Sequence, residues 1–396
     1  MKTLYKKDSK GNIRLWRINV IQKDANYFGI ETCDGLVDGN IKTPIFKEAI
    51  PNNQFKTSEE KAEAMMQSAI DKKLRSNYFE SIKDIKEEDI LFMPTGCPSG
   101  MIWEEWKDKD HVVYPALASG KLDGSKMYST WREDRVFLNT RSAKEHKNFR
   151  HIENALAKFY EENPHIVLDG EAYNHEYRER FEELQSIFRK ETPTEEEQQL
   201  SAEVAKFYIY DAVDLNQPDM PANVRQQMLA EFYAEYFMDL HSDIIIHWGS
   251  KRVNSEEEYD EFHEKCMDDG FEGSVLKIWD APYVQRKNKM VMKRKPKFDC
   301  EFRVVDIVEG TGTHKGVAAN VTIDLTYMDG MNIGHRDQLA EDFQDAGMAS
   351  GWNHAMLKEM LINKADYIDK MATIEYGGIT AYGKLRFPKF KALRTD

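Results

Sequence analysis

The sequence predicts a multidomain α+β protein: a small N-terminal α+β domain, a larger mixed domain, and a small C-terminal β-barrel. Three observations carry this. The chain has 396 residues, 41% hydrophobic and 11% aromatic, enough apolar material for more than one core. Short apolar runs alternate with helical stripes through its middle. The last hundred residues change to a strand, loop, strand pattern.

The first domain, placed at 1–105, opens with strand-like fragments broken by polar turns. Thr57-Ser58-Glu59-Glu60 has capping-box spacing and predicts a helix start. Ala62, Met65, Met66, Ala69, Ile70 and Leu74 then form one apolar stripe ending near Tyr78. The Pro and Gly density of Met93-Pro94-Thr95-Gly96-Cys97-Pro98-Ser99-Gly100 predicts a loop close to the domain boundary. In the second domain, 106–296, Ile166 to Leu168, Phe207 to Tyr210 and Ser274 to Leu276 read as strands. Phe149, Ile152, Leu156 and Phe159, then Tyr177, Phe181, Leu184 and Phe188, read as helical stripes. The polar, Glu-rich stretch from Arg189 to Glu203 is expected to be an exposed loop or insertion. In the third domain, 297–396, strands at Phe302 to Val308 and Val321 to Tyr327 flank the turn-rich Glu309 to Gly316. A helix near Met356, Leu357 and Met360 and a final strand at Ala372 to Tyr376 complete it.

A net charge of −14 argues against a protein that coats nucleic acid by bulk electrostatics. Contact with nucleic acid needs a local patch, and Arg286, Lys287, Lys289, Lys293, Arg294, Lys295 and Lys297 form one without an intervening acid. No apolar run reaches bilayer-spanning length and Met1 to Lys10 is polar, so a soluble, unexported, cytoplasmic protein is expected. Cys33, Cys97, Cys266 and Cys300 form no Cys-x-x-Cys pair, which suggests neither a disulfide framework nor a thiolate zinc site.

The most informative segment is Lys121-Leu122-Asp123-Gly124, preceded by the apolar stretch from Tyr114 to Ala118. It is followed in order by Thr140-Arg141-Ser142, Leu168-Asp169-Gly170-Glu171-Ala172-Tyr173, Phe207-Tyr208-Ile209-Tyr210-Asp211, Gly270-Phe271-Glu272-Gly273-Ser274-Val275 and Met292-Lys293-Arg294-Lys295. Each carries a residue type that nucleotidyl transfer to a lysine requires. An amine attacks phosphorus only when neutral, and an unperturbed lysine has a pKa of about 10.4. Lys121 is therefore expected to be depressed by neighbouring cations, Lys293, Lys295 and a metal ion, which also offset charge on the phosphate.

This ordered set resembles the covalent nucleotidyltransferases, most closely the ATP-dependent DNA ligases of small viral or bacteriophage type, from about residue 110 to 396. Leu385-Arg386-Phe387-Pro388-Lys389-Phe390 and the residues to Asp396 resemble the last motif of those ligases. The resemblance implies a nucleotidyltransferase (ATP-grasp-like adenylation) domain followed by an oligonucleotide-binding (OB) barrel. It implies Lys121 as the nucleophile that becomes adenylated, with Lys293 and Lys295 on the α-phosphate. Glu171 and Glu272 are implied at the ribose or a catalytic metal, Arg141 at the nucleotide and nick, and Tyr210 stacked on adenine. Ser119, Leu122 and Lys126 belong to the nucleotide site, and Arg386 and Lys389 to the motif that orients pyrophosphate. Arg286, Lys287, Lys289, Arg294 and Lys297 are expected on DNA. ATP and Mg²⁺, with Mn²⁺ as substitute, are the implied cofactors; nicked duplex DNA is the partner of a monomer that meets no membrane.

The sequence departs from the family in places. Lys126 and Lys389 stand where arginine is usual and lose its bidentate fork. Ser119 occupies a position often held by Glu or Gln that helps recognise adenine, and the chain ends at Asp396 where one more lysine is common. Leu15-Trp16-Arg17, the turn from Asp34 to Gly39 and Asn77-Tyr78-Phe79 resemble a WGR-like, DNA-end-associated domain. The rival readings are an RNA ligase, a GTP-dependent mRNA-capping guanylyltransferase, and a non-catalytic nucleic-acid-binding relative. An NAD-dependent ligase would be expected to carry a thiolate zinc cluster.

Overall fold

The structure, a computed structural model, describes residues 1–394 except 9–11, 53, 75, 77, 86–91, 93, 96–102, 104–111, 312–313, 332 and 381. The expected boundary at 105/106, most of the loop from Met93 to Gly100, Cys97 and the terminus at Asp396 lie outside these residues.

Strands β1 (Lys2–Lys7), β2 (Ile13–Asp24), β3 (Tyr27–Leu36) and β4 (Ile45–Glu48) form an antiparallel sheet in sequential order. Leu4, Trp16, Ile18 and Ile30 project from one face onto the helix Ser58–Leu74, whose Met65, Met66, Ala69 and Ile70 complete the core. The capping box forms: the Thr57 hydroxyl accepts the Glu60 N–H and the Glu60 carboxylate accepts the Thr57 N–H, both at 3.1 Å.

The middle of the chain holds two sheets. One has the order β10-β9-β8-β6-β7, from β6 (Ser125–Arg132), β7 (Arg135–Asn139), β8 (Ile166–Tyr173), β9 (Lys206–Asp214) and β10 (Ile245–His247). The other has the order β11-β5-β12-β13, from β5 (Ala116–Lys121), β11 (Lys251–Val253), β12 (Gly273–Ile278) and β13 (Val291–Arg294). The amphipathic helices Arg150–Glu162 and Phe181–Phe188 bury Ile152, Leu156, Phe159, Leu184 and Phe188 against the first sheet. The helix Glu256–Asp268 places Tyr259 on the second, among Ala118, Leu276 and Met292.

The stretch from Arg189 to Glu203 corrects the expectation of a loop: most of it is the helix Glu195–Val204. Thr194 and Glu197 make a second capping box, three glutamates complement the helix N-terminus, and Ser201 and Val204 are buried. Overall polarity hid one short apolar edge and a cap.

The C-terminal strands close into a barrel of order β14-β15-β16-β18-β17, from β14 (Phe298–Glu309), β15 (Ala318–Asp329), β16 (Phe343–Met348), β17 (Met371–Tyr376) and β18 (Lys389–Leu393). Here too the reading is corrected, since β17 is not the last strand and β16 was not expected. β16 pairs parallel with β18, and three register shifts along β14 and β15 bend that long hairpin around the core. Phe302, Val304, Ile323, Ile374 and Phe390 fill it, and Met360 of the helix His354–Ile362 plugs one side. Among the described residues no helix is long and apolar enough to cross a membrane.

Candidate active site

The register of β5, β12 and β13 builds one wall of a cavity. Lys121 stands opposite Gly273, Ser119 opposite Val275 and Leu117 opposite Lys277; Val275 and Lys277 are flanked in turn by Lys293 and Val291. Because side chains alternate across a strand, Ser119, Lys121, Val275, Lys277, Val291 and Lys293 share a face. The other sheet contributes Glu171 from β8 and Tyr210 from β9, and Arg141 follows β7. With Thr95, Gly120, Leu122 and Lys295 these residues line a cavity of about 280 Å³. Eight residues expected from separate motifs meet there: Ser119, Lys121, Leu122, Arg141, Glu171, Tyr210, Lys293 and Lys295.

Two glycines permit this closeness. A Cβ on Gly124 would lie 2.3 Å from the Ala172 carbonyl oxygen, and Gly273, at φ +148°, would place one 2.0 Å from that of Arg294.

Glu272 binds a lysine on each oxygen, Lys121 at 2.5 Å on Oε2 and Lys295 on Oε1. Burial pushes the Lys121 pKa down, but Glu272, Glu171 and Asp123 outweigh it and leave it above the ordinary lysine value. The expected depression by cations is therefore not the state of this structure, because the partner in contact is a carboxylate. Burial and the Lys121 charge lower the Lys295 pKa. Burial would raise Glu272, yet the two lysines hold it below the usual carboxylate range. Burial does raise Glu171, whose Oε1 accepts the Gly124 N–H at 3.2 Å.

For a metal, Glu171 and Glu272 are an incomplete set. Among the described residues no group of three or more His, Cys, Asp and Glu could hold an ion. Two carboxylates at a cavity of this size fit Mg²⁺, which keeps water and takes phosphate oxygens in place of an all-protein cage.

The remaining expected residues lie around the cavity. Lys126 turns inward, pairs with Asp169 and donates to the Tyr210 hydroxyl at 2.5 Å; burial lowers its pKa. Arg386 reaches from the barrel to Asp123 at 2.7 Å and lies 5.1 Å from the Phe181 ring centroid. Lys389 is exposed on β18 opposite Glu375 and does not line the cavity. Within the basic stretch Arg294 pairs with Asp260 at 2.5 Å and Lys297 with Glu375 at 3.3 Å, and Arg286, Lys287 and Lys289 lie at the surface.

Sequence reasoning missed Lys277 and Thr95. Lys277 was accessible from period two, being two residues beyond Val275. Thr95 sits in a segment read as linker, and no spacing marks it. A larger hollow of about 400 Å³ opens beside Gly120, lined by Trp248, Phe262, Phe271, Lys251 and Lys265 among others. Its thiol, Cys266, is buried and pushed up to about 11, and its lysines, Lys251 and Lys265, belong to none of the ordered motifs, so the smaller cavity is the candidate site.

Residues 111–295 match the family model described as the ATP dependent DNA ligase domain, so the resemblance carried by the ordered motifs is borne out. Two DNA ligases of African swine fever virus are 26% identical over 202 residues and 28% identical over 181, covering 49% and 44% of this chain. The chain spans less than half the length of these relatives, 45% and 40%. Among solved structures, Pmar-Lig_PreS3 superposes with a TM-score of 0.61 at 20% identity over 76% of this chain and 68% of that one. The structure described as "DNA binding with a minimal scaffold: Structure-function analysis of Lig E DNA ligases" gives 0.57 at 19% identity over 77% and 100%. These likenesses establish a shared mixed α/β fold.

Proposed function

We propose that this chain, whose residues 111–295 carry the match to the ATP dependent DNA ligase domain, seals nicks in duplex DNA at the expense of ATP. The observation that carries the reading is the convergence of separated motif segments on one cavity that ends at Lys121. Three phosphoryl transfers follow. The Lys121 amine attacks the α-phosphorus of ATP, forming a P–N bond and releasing pyrophosphate. A 5′-phosphate oxygen at the nick then attacks the same phosphorus and Lys121 departs. The 3′-hydroxyl finally attacks the nick phosphorus, forming the phosphodiester and releasing AMP.

Positioning and charge supply most of the catalysis of such steps. At rest Lys121 is a cation paired with Glu272, so the first step requires that pairing to loosen. Mg²⁺ held by Glu171, Glu272 and the ATP phosphates would draw carboxylate charge away from Lys121 and offset charge on the transferring phosphate. Lys293 and Lys295 take the α-phosphate, Arg141 the nucleotide and nick, and the Tyr210 ring the adenine face. Arg386 is supplied by the barrel, with Lys389 further along the same segment.

We assign 1–105 as an accessory, WGR-like domain on DNA, 106–296 as the adenylation domain and 297–396 as an OB-fold. The five-stranded closed order β14-β15-β16-β18-β17 supports the last. For the first, Lys73 and Lys6 stand 4.5 and 5.7 Å from the Tyr78 ring centroid, and burial together with the Lys73 charge lowers the Lys6 pKa, a small cationic surface suited to phosphate. On the adenylation domain Arg286, Lys287 and Lys289, with Arg294 and Lys297 in the same stretch, are assigned to DNA phosphates. The enzyme acts as a cytoplasmic monomer.

The test is joining of a 5′-phosphorylated nicked duplex with ATP and Mg²⁺, beside matched RNA ends and GTP. Joined DNA with ATP is expected. Joining of RNA alone, or activity with GTP alone, would move the protein to a rival class.

A further inference from the structure

We propose that Thr95, which lies outside the matched domain, reads the base of the nucleotide in the cavity and sets a preference for adenine over guanine. This rests on the reading of the cavity as an ATP site. Lys121 marks its phosphate end. From there β5, β12 and β13 run through Ser119 opposite Val275 to Leu117 opposite Lys277, which faces Val291. At about 3.4 Å per residue, the four-residue step from Lys121 to Leu117 spans roughly 14 Å, comparable to the reach of a nucleoside monophosphate. Lys277 and Val291 therefore mark the base end. Thr95 belongs to that end, since it shares with them both the cavity and the small hollow that continues behind it.

Few groups there can read a base edge. Val275 and Val291 can only pack. Tyr210, whose hydroxyl lies 2.5 Å from Lys126, is assigned to the adenine face and not to its edge, and the Lys277 ammonium is committed to the charge of buried Asp211 at 2.6 Å. Ser119, one pleat nearer Lys121, holds the position already expected at adenine and stands apart from the Lys277 end. Thr95 differs from all of these. Its N–H donates to the Tyr283 hydroxyl at 2.9 Å, and Tyr283 donates to buried Asp169 at 2.6 Å. Its Oγ1 accepts from Asn288 Nδ2 at 2.8 Å. These bonds fix both backbone and side chain. With one lone pair filled by an N–H, the hydroxyl hydrogen is the donor left over, and among the described residues it makes no hydrogen bond of its own. Adenine presents an unprotonated N1 to such a donor. Guanine presents N1–H, which sets donor against donor and leaves both unsatisfied.

The experiment is covalent labelling of the full chain by α-labelled ATP and GTP over a concentration series. Thr95→Val, which keeps shape and loses the hydroxyl, is expected to raise the ATP concentration for half-maximal labelling roughly five- to tenfold, the worth of one hydrogen bond. It should narrow the ATP to GTP ratio as well, and Thr95→Ser should restore both. A 1-deaza-adenine analogue of ATP, lacking the N1 acceptor, should cost the unaltered protein the same factor and cost Thr95→Val nothing more. An unaltered protein indifferent to the analogue overturns the proposal, and that arm needs no variant to fold. Independent, additive penalties from variant and analogue overturn it too, because Thr95 would then act only by anchoring its loop. If unaltered protein takes no label from ATP, the ATP-site reading falls and this inference with it; label in unaltered protein with Thr95→Val unchanged removes this inference alone.

Discussion

Replacing Asp211 by asparagine removes the single negative charge from a site that holds two cations. Asp211 and Arg225 are 1% and 2% exposed. Arg225 Nε and Nη2 lie 2.8 and 3.1 Å from the carboxylate oxygens, and Lys277 Nζ lies 2.6 Å away. Arg225 Nη1 also donates to the Met220 and Ala281 carbonyls, at 2.5 and 3.0 Å. One carboxylate thus ties β9 to the helix Ala222–Phe232 and to β12, the strand that carries the cavity wall. Burial would raise its pKa, but Lys277 and Arg225 outweigh burial and hold it below the ordinary value. Removing one partner of a buried pair costs about 3–5 kcal/mol because it strands the other charge. Two stranded cations place Asp211→Asn at the upper end, about 4–5 kcal/mol. At about 2–4 °C per kcal/mol for a domain of this size, the melting temperature should fall by roughly 10 °C or more. Urea titration and calorimetry at neutral pH read this directly, with Glu183→Gln as control. Glu183 pairs with Arg180 at 2.6 Å on the surface, where such a pair contributes about 0–1 kcal/mol. A loss under about 1 kcal/mol for Asp211→Asn would refute the reasoning, since the site would then behave as if solvated.

Three further outcomes are expected. His146 is buried with Nε2 on the Lys126 carbonyl at 3.2 Å, and burial pushes its pKa from 6.5 to about 4. The unfolded chain therefore takes up a proton between those values that the folded chain refuses, so stability is lost as pH falls through this window. The loss should be about 2 kcal/mol between pH 7.5 and 5, and His146→Gln should abolish that part of the slope in urea titrations. Gly124→Ala should lower stability by about 1–3 kcal/mol and depress covalent labelling, because the new Cβ meets the Ala172 carbonyl and Glu171; unchanged melting and labelling would show that the strand ends shift freely. Arg286→Gln should reduce the slope of log affinity for nicked DNA against log salt by about one while leaving covalent labelling intact, and an unchanged slope would remove Arg286 from the phosphate contacts.

Much of the site was legible because its chemistry needs particular residue types in order along the chain, and because period two places Lys121 with Ser119, and Lys293 with Val291, on one face. The pairing of Lys121 with Glu272 was not legible: cations in the neighbouring segment suggested a depressed lysine, and only the register of β12 against β5 sets the carboxylate in contact with it. The helix Glu195–Val204 was lost to composition although Thr194 and Glu197 carry the same cap that identified the helix at Ser58. In the barrel, β16 and β18 are short and mixed in polarity, and their pairing is long-range, so no local pattern announces them. Thr95 is a tertiary fact entirely: a threonine in a Pro and Gly-rich segment becomes part of a cavity because Tyr283 and Asn288, nearly two hundred residues on, hold it there.

The central claim is that Lys121 becomes covalently bound to AMP. Incubation of the full chain with ATP and Mg²⁺, followed by intact-mass and peptide mass measurement, tests it most directly. The account predicts one added adenylyl group, located on the peptide containing Lys121, sensitive to acid as a phosphoramidate, and absent from Lys121→Ala. An unmodified protein, or an adduct that persists in Lys121→Ala, would contradict it.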